Sequence, residues 1–266
     1  MQLVTLTVRA EDVEHALDVL LPRFPAGIHT RSAEDRVELL VYGDPVDRGA
    51  LAALEPTLLA PPSVTSTSDD WRERRRQRFR PHVYGGRLAV RPAWADPPPA
   101  GVIDVVLGEE AAAFGSGDHP TTRACLELLC QLPPEDGLAD LGCGSGVLAI
   151  AAARLGWTGV VAVDVDPRSV SAAASNALRN DVEVTTGTVD LVRDDPPPAT
   201  VSLANVPPYV HEQLAGRLTS RTVVATGIES PRAAEVTAAY EAAGYQPVVV
   251  EDLFGWTFLV VERIRS

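Results

Sequence analysis

The segment LADLGCGSGVLAIAAARLG, residues 138–156, constrains the fold of this chain more than any other. An apolar run ends in a loop with glycines at alternate positions, Gly142, Gly144 and Gly146, and a helix pattern begins at once. Glycine lets the backbone turn sharply and approach a ligand closely, and the first turn of a helix offers free N–H groups. The segment predicts a buried strand, a ligand-binding turn and a helix of a parallel α/β sheet.

The rest of the C-terminal region alternates between helix and strand patterns, which indicates a parallel sheet covered on both faces. The last two β runs are separated only by Phe254-Gly255 and must form an antiparallel hairpin. Helices are predicted at 121–132, 147–155, 168–179, 211–218 and 231–243, and strands at 137–141, 159–165, 183–189, 200–206, 222–226, 246–253 and 256–264.

The spacing of the loop glycines discriminates between nucleotide cofactors. A dinucleotide fingerprint reads G-x-G-x-x-G, whereas here the pattern is G-x-G-x-G and Val147 stands where the third glycine would be. Asp164, 22 residues after Gly142, can accept from both ribose hydroxyls, and Asp140 suits an ammonium group better than a pyrophosphate. These features, with seven strands and a terminal hairpin, favour S-adenosylmethionine and a methyltransferase over a nicotinamide oxidoreductase or an unliganded turn.

The chain divides into three zones. Residues 1–60 show strand, helix, strand and helix patterns in succession and predict a small α+β domain. Residues 61–80 predict a linker, which begins at Pro61-Pro62, and a connecting helix over the charged stretch 69–80. That stretch reads either as a solvated helix with Trp71 and Phe79 turned inward or as a basic patch for an acidic ligand. Residues 81–266, with short strands at 82–90 and 102–107, form the main domain.

Composition excludes several classes of protein. A net charge of −13 argues against direct binding to nucleic acid and permits a cationic or basic partner, although solubility alone also explains it. No apolar run reaches the ~18 residues of a membrane span, and the N-terminus lacks the pattern of a secretion signal. Three cysteines form neither a disulfide framework nor a zinc pattern. We expect a cytoplasmic protein with no metal site.

A second motif carries a family resemblance. The segment AAAFGSGDHPTTRACLELL, together with DLGCGSGVLAIAA and VDVDP, resembles the bacterial methyltransferases that modify protein eleven of the large ribosomal subunit. The matching loop residues are Phe114, Gly115, Gly117, His119, Pro120, Thr121 and Thr122. The resemblance runs from about Trp71 to the C-terminus. It implies a seven-stranded Rossmann-like class I methyltransferase domain, a small N-terminal domain that recognises the substrate, and transfer to amino groups of a protein. We expect a monomer or a weak dimer.

The loop and the resemblance together define candidate site residues. The resemblance implies that a threonine of the Thr121-Thr122 pair, Gly142, Asp164 and Asn205 contact the cofactor. Asn205 and Tyr209 are the candidate catalytic residues on the acceptor side. His119 is either a base or, more in keeping with its place before Pro120, a residue that shapes the helix entry. The full set expected at the cofactor is Phe114, Gly115, Thr121, Thr122, Asp140, Gly142, Cys143, Gly144, Gly146, Asp164, Val165 and Asn205.

The segment after Asn205 departs from the family pattern. Asn205-Val206-Pro207-Pro208-Tyr209 is similar to the asparagine-proline-proline-tyrosine motif of methyltransferases that act on planar nitrogens, with one extra residue. Tyr209 is expected either to stack on the acceptor or to belong to a rigid turn. Three readings remain open: transfer to a protein such as the ribosomal one, transfer to a smaller peptide or metabolite, and a non-catalytic cofactor-binding module.

Overall fold

The computed structural model describes residues 2–9, 12–20, 28–33, 36–43, 48–66, 82–108, 117 and 119–264. The chain forms two compact units, residues 1–79 and 80–266. The predicted helix over residues 69–80 lies outside the described residues, as do Phe114 and Gly115. Each unit is described by itself.

The first unit is a four-stranded sheet with two short helices. Its strands lie in the order β2-β3-β1-β4, and the described pairs are antiparallel. Alternate residues of β1, Val4, Leu6 and Val8, are fully buried against Ala16, Leu20 and Leu54 of the helices, as expected of a sheet with one covered face. The elements are β1 (Gln2–Arg9), α1 (Val13–Leu20), β2 (Ile28–Ala33), β3 (Arg36–Gly43), α2 (Arg48–Leu54), the 3-10 helix Glu55–Thr57 and β4 (Ser63–Ser66).

Two strands of this unit were not predicted from the sequence. β2 pairs with β3, and β4 pairs with β1 from Gln2 to Thr5. The linker predicted to begin at residue 61 therefore begins too early, since Ser63–Ser66 belongs to the first sheet. The reason is that its Ser/Thr composition, read as a turn signal, is also compatible with an edge strand whose β propensity is realised by pairing.

The second unit begins with a three-stranded sheet. The predicted strand at 82–90 is two strands, β5 (His82–Tyr84) and β6 (Leu88–Pro92), with a turn at Gly85-Gly86, where both glycines have positive φ. β6 is antiparallel to β5 and parallel to β7 (Ile103–Leu107). This sheet packs on the core of the main domain through residues such as Leu88 and Val105.

The main sheet has seven strands in the order β10-β9-β8-β11-β12-β14-β13. The pairs from β10 to β12 are parallel, and β14 is antiparallel to both of its neighbours. The predicted seven-stranded α/β fold with a terminal hairpin is confirmed. The bounds are α3 (Pro120–Gln131), β8 (Asp136–Leu141), α4 (Val147–Arg154), β9 (Thr158–Asp164), α5 (Pro167–Arg179), β10 (Thr185–Thr188), β11 (Val201–Asn205), α6 (Pro208–Leu214), β12 (Thr222–Glu229), α7 (Ala233–Ala242), β13 (Tyr245–Asp252) and β14 (Trp256–Arg263).

Burial explains why these segments form this sheet. The central strands β8 and β11 are buried along most of their length, which is typical of parallel strands covered by helices on both faces. Helix α5 buries Ser169, Ala173, Asn176 and Ala177, a stripe at helical spacing that faces the sheet. One core cluster contains residues of α3 and α4, and another contains residues of α6 and α7.

Two boundaries differ from the sequence prediction in ways that matter for the site. Helix α6 begins at Pro208, three residues before the predicted start, because proline is well accommodated in the first turn of a helix. Strand β12 continues past the predicted end at Thr226 to Glu229, and its pairing with β14 is irregular between Ala225 and Ile228. Among the described residues, no helix is both long and apolar enough to cross a bilayer.

Candidate functional site

The glycine loop connects β8 to α4 and lies at the carboxyl edge of the sheet. Gly142, Gly144 and Gly146 all have positive φ values, 77°, 51° and 75°, which side chains with a Cβ adopt at a cost. A Cβ at Gly142 would lie 2.4 Å from Val206 Cγ1, and one at Gly146 would lie 2.8 Å from Ala173 Cβ. These two glycines are thus required by both backbone conformation and packing.

Asp164 ends β9 and supports this loop from the neighbouring strand. Its Oδ2 accepts from the Gly144 N–H at 2.9 Å, and its Oδ1 accepts from the Asp166 N–H at 2.9 Å. A carboxylate has about four acceptor positions, so each oxygen can still accept from a further donor. The geometry therefore leaves Asp164 able to bind hydroxyl groups while it holds the loop.

Asp140 lies beneath the loop and is only 1% exposed. Its Oδ2 accepts from the Ala149 N–H at 3.1 Å, in the first turn of α4. Burial, with the nearby Asp164 carboxylate, raises the pKa of Asp140 to about 7, and the bond from Ala149 opposes this shift. Asp140 thus caps a helix N-terminus from the preceding strand, a role that the sequence did not indicate.

Cys143 and Val165, two further candidates for the cofactor site, differ in exposure. Cys143 is 6% exposed, and burial raises the pKa of its thiol well above the usual range. It is therefore a neutral, unreactive filler of the loop. Val165, which follows Asp164, is 64% exposed. An exposed apolar side chain beside a carboxylate that can bind ribose offers a surface for a flat aromatic base.

Asn205 ends β11 and contacts the first turn of α3. Its Oδ1 lies 3.5 Å from Thr121 Oγ1, and its Nδ2 donates to Thr122 Oγ1 at 3.4 Å. Thr121 is fully buried and Thr122 is 9% exposed. The structure therefore brings together the two threonines and the asparagine that the sequence placed in one site, although 83 residues separate Thr122 from Asn205.

His119 lies at the start of α3, close to the Thr121 hydroxyl that contacts Asn205. It is the N-cap of α3, and its Nδ1 accepts from the Thr121 N–H at 3.4 Å. Burial lowers the pKa of His119, so that the ring is neutral at pH 7. The Thr121 hydroxyl oxygen also lies 2.7 Å from this nitrogen, and the hydroxyl donates to Asn205 Oδ1 at 3.5 Å. An amide oxygen has two lone pairs, so Asn205 Oδ1 can accept from a second donor besides Thr121.

Tyr209 is the second residue of α6, after the Pro207 N-cap, and is 59% exposed. Its position at the carboxyl end of β11 agrees with the predicted side of the site, and its ring is accessible to a ligand. The next turn of α6 carries His211, which is fully buried. His211 Nε2 lies 2.9 Å from the Thr226 carbonyl oxygen, and its Nδ1 lies 2.9 Å from Tyr240 Oη. Burial lowers the pKa of His211 to about 4, so the neutral ring donates through Nε2 and ties α6 to β12.

Gly227 lies where the pairing of β12 with β14 is irregular. The sequence did not identify it as a residue of the site. It has a φ of 78°, and a Cβ there would lie 2.7 Å from the Val206 carbonyl oxygen and 3.0 Å from Asn205 Oδ1. A glycine inside a strand pattern is a known signal of a bulge or a close approach. Bulges near active sites redirect side chains, and this one makes room for the Asn205 carboxamide.

Replacing Gly227 with alanine is expected to lower the free energy of unfolding by about 2 kcal/mol and turnover by about tenfold. The new Cβ both strains the backbone and displaces Asn205. Gly244→Ala is the matched control, because Gly244 has a φ of 84° but open space around it. Thermal unfolding and steady-state kinetics of both variants test this. Equal turnover in the two variants would remove Gly227 from the site.

Two further residues were not found by sequence reasoning. Trp256, the first residue of β14, packs edge to face on His119 with ring centroids 4.9 Å apart. Asn176 of α5 donates to the Ser145 carbonyl oxygen of the loop and accepts from the Gly108 N–H, both at 2.9 Å. Asn176 could have been identified from its place at a core position of an amphipathic helix, because buried amides need hydrogen-bond partners.

Comparisons with known proteins identify what the chain is similar to. The family model described as "Ribosomal protein L11 methyltransferase (PrmA)" matches residues 56–264. The ribosomal protein L11 methyltransferase of Laribacter hongkongensis is 37% identical over 199 residues, 72% of this chain. That of Burkholderia lata is 32% identical over an alignment of 282 positions that includes all of this chain and 92% of the relative.

One solved structure is also similar to this chain. The crystal structure of the ribosomal protein L11 methylase from Lactobacillus delbrueckii subsp. bulgaricus is 25% identical, with a TM-score of 0.61, and the match covers 69% of this chain and 97% of that chain. The matched region spans 66% of the Laribacter protein and 62% of the one from Azotobacter vinelandii, slightly less than two thirds of either relative.

Proposed function

Because the chain belongs to the ribosomal protein L11 methyltransferase family, we propose that it transfers methyl groups from S-adenosylmethionine to amino groups of ribosomal protein L11. The observation that carries the proposal is the site at the carboxyl edge of the sheet. There a glycine loop and the Asp164 carboxylate, which has free acceptor positions, lie on one side, and Asn205 Oδ1, with a free acceptor position, lies beside α3.

The residues of the loop fit the cofactor. Gly142 and Gly146 let the loop turn tightly against Val206 and Ala173, where a Cβ has no room. Asp164 retains acceptor positions for the ribose hydroxyls, and exposed Val165 suits the adenine. Asp140 and Asp164 together favour a ligand with positive charge, because a cation nearby offsets the burial and the weaker repulsion from Asp164 that raise the pKa of Asp140. Thr121 and Thr122 join this site through Asn205.

The proposed mechanism depends on the orientation of the acceptor amine. S-adenosylmethionine supplies a methyl group activated by the positive charge of its sulfonium. The protein holds a neutral amine, turns its lone pair towards that methyl group and excludes water. Asn205 Oδ1 accepts an N–H of the amine and so fixes the direction of the lone pair. His119 positions Thr121, whose hydroxyl oxygen lies 2.7 Å from the ring nitrogen and whose hydroxyl donates to Asn205 Oδ1. Tyr209 covers the acceptor.

The direct test uses purified ribosomal protein L11, methyl-labelled S-adenosylmethionine and the full chain. We expect label on amino nitrogens of L11, located by mass spectrometry, and no label when S-adenosylhomocysteine is in excess. Transfer to oxygen or carbon would contradict the assignment of the acceptor atom. Binding of both adenosyl ligands without transfer to any acceptor would instead indicate a non-catalytic module.

A second candidate acceptor is a smaller peptide or metabolite. The observation that favours it is the Asn205–Tyr209 segment, which departs from the family pattern and places an exposed tyrosine at the start of α6. Fractionated lysate offered as acceptor in the same assay distinguishes the two. Label in a low-mass fraction, with none in L11, would favour the smaller acceptor.

The first unit, built on β1 to β4, is proposed to choose the acceptor and to take no part in cofactor binding. All described loop, threonine and asparagine contacts lie within the second unit. A shortened chain that begins at Asp69 is expected to bind S-adenosylmethionine with unchanged affinity and to methylate L11 poorly, as calorimetry and the label assay would show. A folded but ligand-free shortened chain would contradict this division of labour.

We propose that the reaction takes place in the cytoplasm and that the chain acts as a monomer or weak dimer, without direct contact to nucleic acid. All three cysteines are free and buried, which suits a reducing compartment. The net charge of −13 suits a basic protein substrate.

A further inference from the structure

Strand β12 projects beyond the end of β11. Asn205, the last residue of β11, pairs with Thr226, and β12 continues to Glu229, which pairs with Trp256 of β14. Three further residues extend it by about 10 Å. The end of β12 and the beginning of β14 therefore project together at the carboxyl edge of the sheet, and we call this projection the wall. It lies next to the crevice where ligands bind in folds of this kind.

One face of this wall lies on the same side of the sheet as the Asn205 side chain. Trp256 packs on His119, the N-cap of α3, and the amide of Asn205 contacts the following turn of that helix. Residues directly opposite each other in an antiparallel pair share a face, so Glu229 lies on the same side as Trp256. The wall consequently borders the acceptor side of the site.

Phe254 stands at the tip of this wall and is 92% exposed. With φ values of 57° and 90°, Phe254 and Gly255 form the central pair of the hairpin turn. Such turns favour asparagine at the first position, and a bulky side chain there is strained. The tip is also fixed, since Gly255 accepts from the Ser230 N–H at 2.9 Å and donates to Asp252 Oδ1 at 3.1 Å. An exposed aromatic ring that stands on a fixed turn against local preference suits a binding contact.

The charge around the tip is negative. Glu229 and Glu251 are exposed, and Glu251 pairs with Phe258, two residues after Trp256 and on the same face. Within the described part of the chain, no ion pair includes either glutamate, whereas nearby Arg232 is paired with Glu212 and Glu235. The two carboxylates are therefore available to a cationic partner.

We propose that Phe254, Trp256, Glu229 and Glu251 form the docking surface for the acceptor segment, a cationic stretch of polypeptide that carries the amine to Asn205. Aliphatic stems of the segment pack on the two aromatic rings, and its neighbouring ammonium groups face the two carboxylates. The inference rests on the proposed function and identifies which part of the second unit holds the substrate.

The test compares Phe254→Asn with Leu178→Ala. Asparagine removes the ring yet suits the turn, so the variant is expected to unfold at the same or a higher temperature than the parent. The KM for purified L11 is expected to rise about tenfold, with unchanged kcat and unchanged affinity for S-adenosylhomocysteine. Leu178 on α5 is 82% exposed and lies outside the proposed surface, and its variant should match the parent in every measurement.

Glu229→Gln tests the charged part of the surface. The parent's KM for L11 should rise with salt, and the variant should show a higher KM with a weaker salt dependence. An unchanged KM in Phe254→Asn, or a loss of the fold, would overturn the docking surface while leaving the methyltransferase proposal intact. A parent enzyme that methylates no residue of L11 would overturn the proposed substrate and the docking surface together.

Discussion

Replacing Asp164 with alanine is expected to weaken the binding of S-adenosylmethionine by two to four decades. The estimate comes from two charge-assisted hydrogen bonds to the ribose at ~1.5–3 kcal/mol each. The carboxylate also supports the loop through the Gly144 N–H, so part of the loss is indirect. Calorimetric titration of the variant and the parent with S-adenosylmethionine measures the effect.

A ligand analogue separates the direct contact from the support of the loop. The parent should bind S-adenosylhomocysteine much more tightly than its 2′,3′-dideoxy form, and Asp164→Ala should bind both forms alike. Circular dichroism before titration checks that the variant is folded. An unchanged dissociation constant in the variant would mean that the ribose lies elsewhere.

Replacing Asn205 with alanine is expected to lower turnover about a hundredfold and to change cofactor affinity little. Its Oδ1 is the acceptor that orients the amine, and it keeps a lone pair free beside the bond from Thr121. Steady-state kinetics with L11 as acceptor, together with cofactor titration, separate the two effects. Turnover equal to that of the parent would remove Asn205 from the mechanism.

Two further variants test the acceptor side of the site. Asn205→Asp keeps an acceptor oxygen in place and should retain more activity than the alanine variant. Tyr209→Ala should mainly raise the KM of the acceptor, because a stacking ring stabilises the ground state and the transition state alike. A fall in kcat with unchanged KM in Tyr209→Ala would assign the tyrosine a different role.

Much of the second unit could be predicted because its signals are local. The glycine spacing of residues 142–146, the proline after Asp166 and the Phe254-Gly255 turn each depend on a few neighbouring residues, and the structure contains the predicted elements at these places. The family identified from the Phe114–Thr122 loop is confirmed by the family model and by the relatives. The roles of individual site residues stay predictions.

The errors have local causes too. The strand predicted at 82–90 is interrupted at Gly85-Gly86, and the Ser/Thr run at 63–66 pairs with β1 although its composition is typical of a linker. In both places the local sequence allows more than one conformation. The two glycines close a hairpin between the neighbouring strands β5 and β6, whereas pairing with the distant strand β1 selects the conformation of 63–66.

The sequence by itself determined the order of the elements of the main sheet, the glycine loop and the acid at the end of β9, since periodicity and turn chemistry act over a few residues. Only the tertiary structure decided that Asp140 caps α4, that Gly227 makes room for Asn205, and that Trp256 packs on His119. The contacts of Gly227 and Trp256 join residues far apart in the chain, whereas Asp140 contacts the nearby Ala149. Their existence depends on strand order, register and close packing, which no short segment specifies.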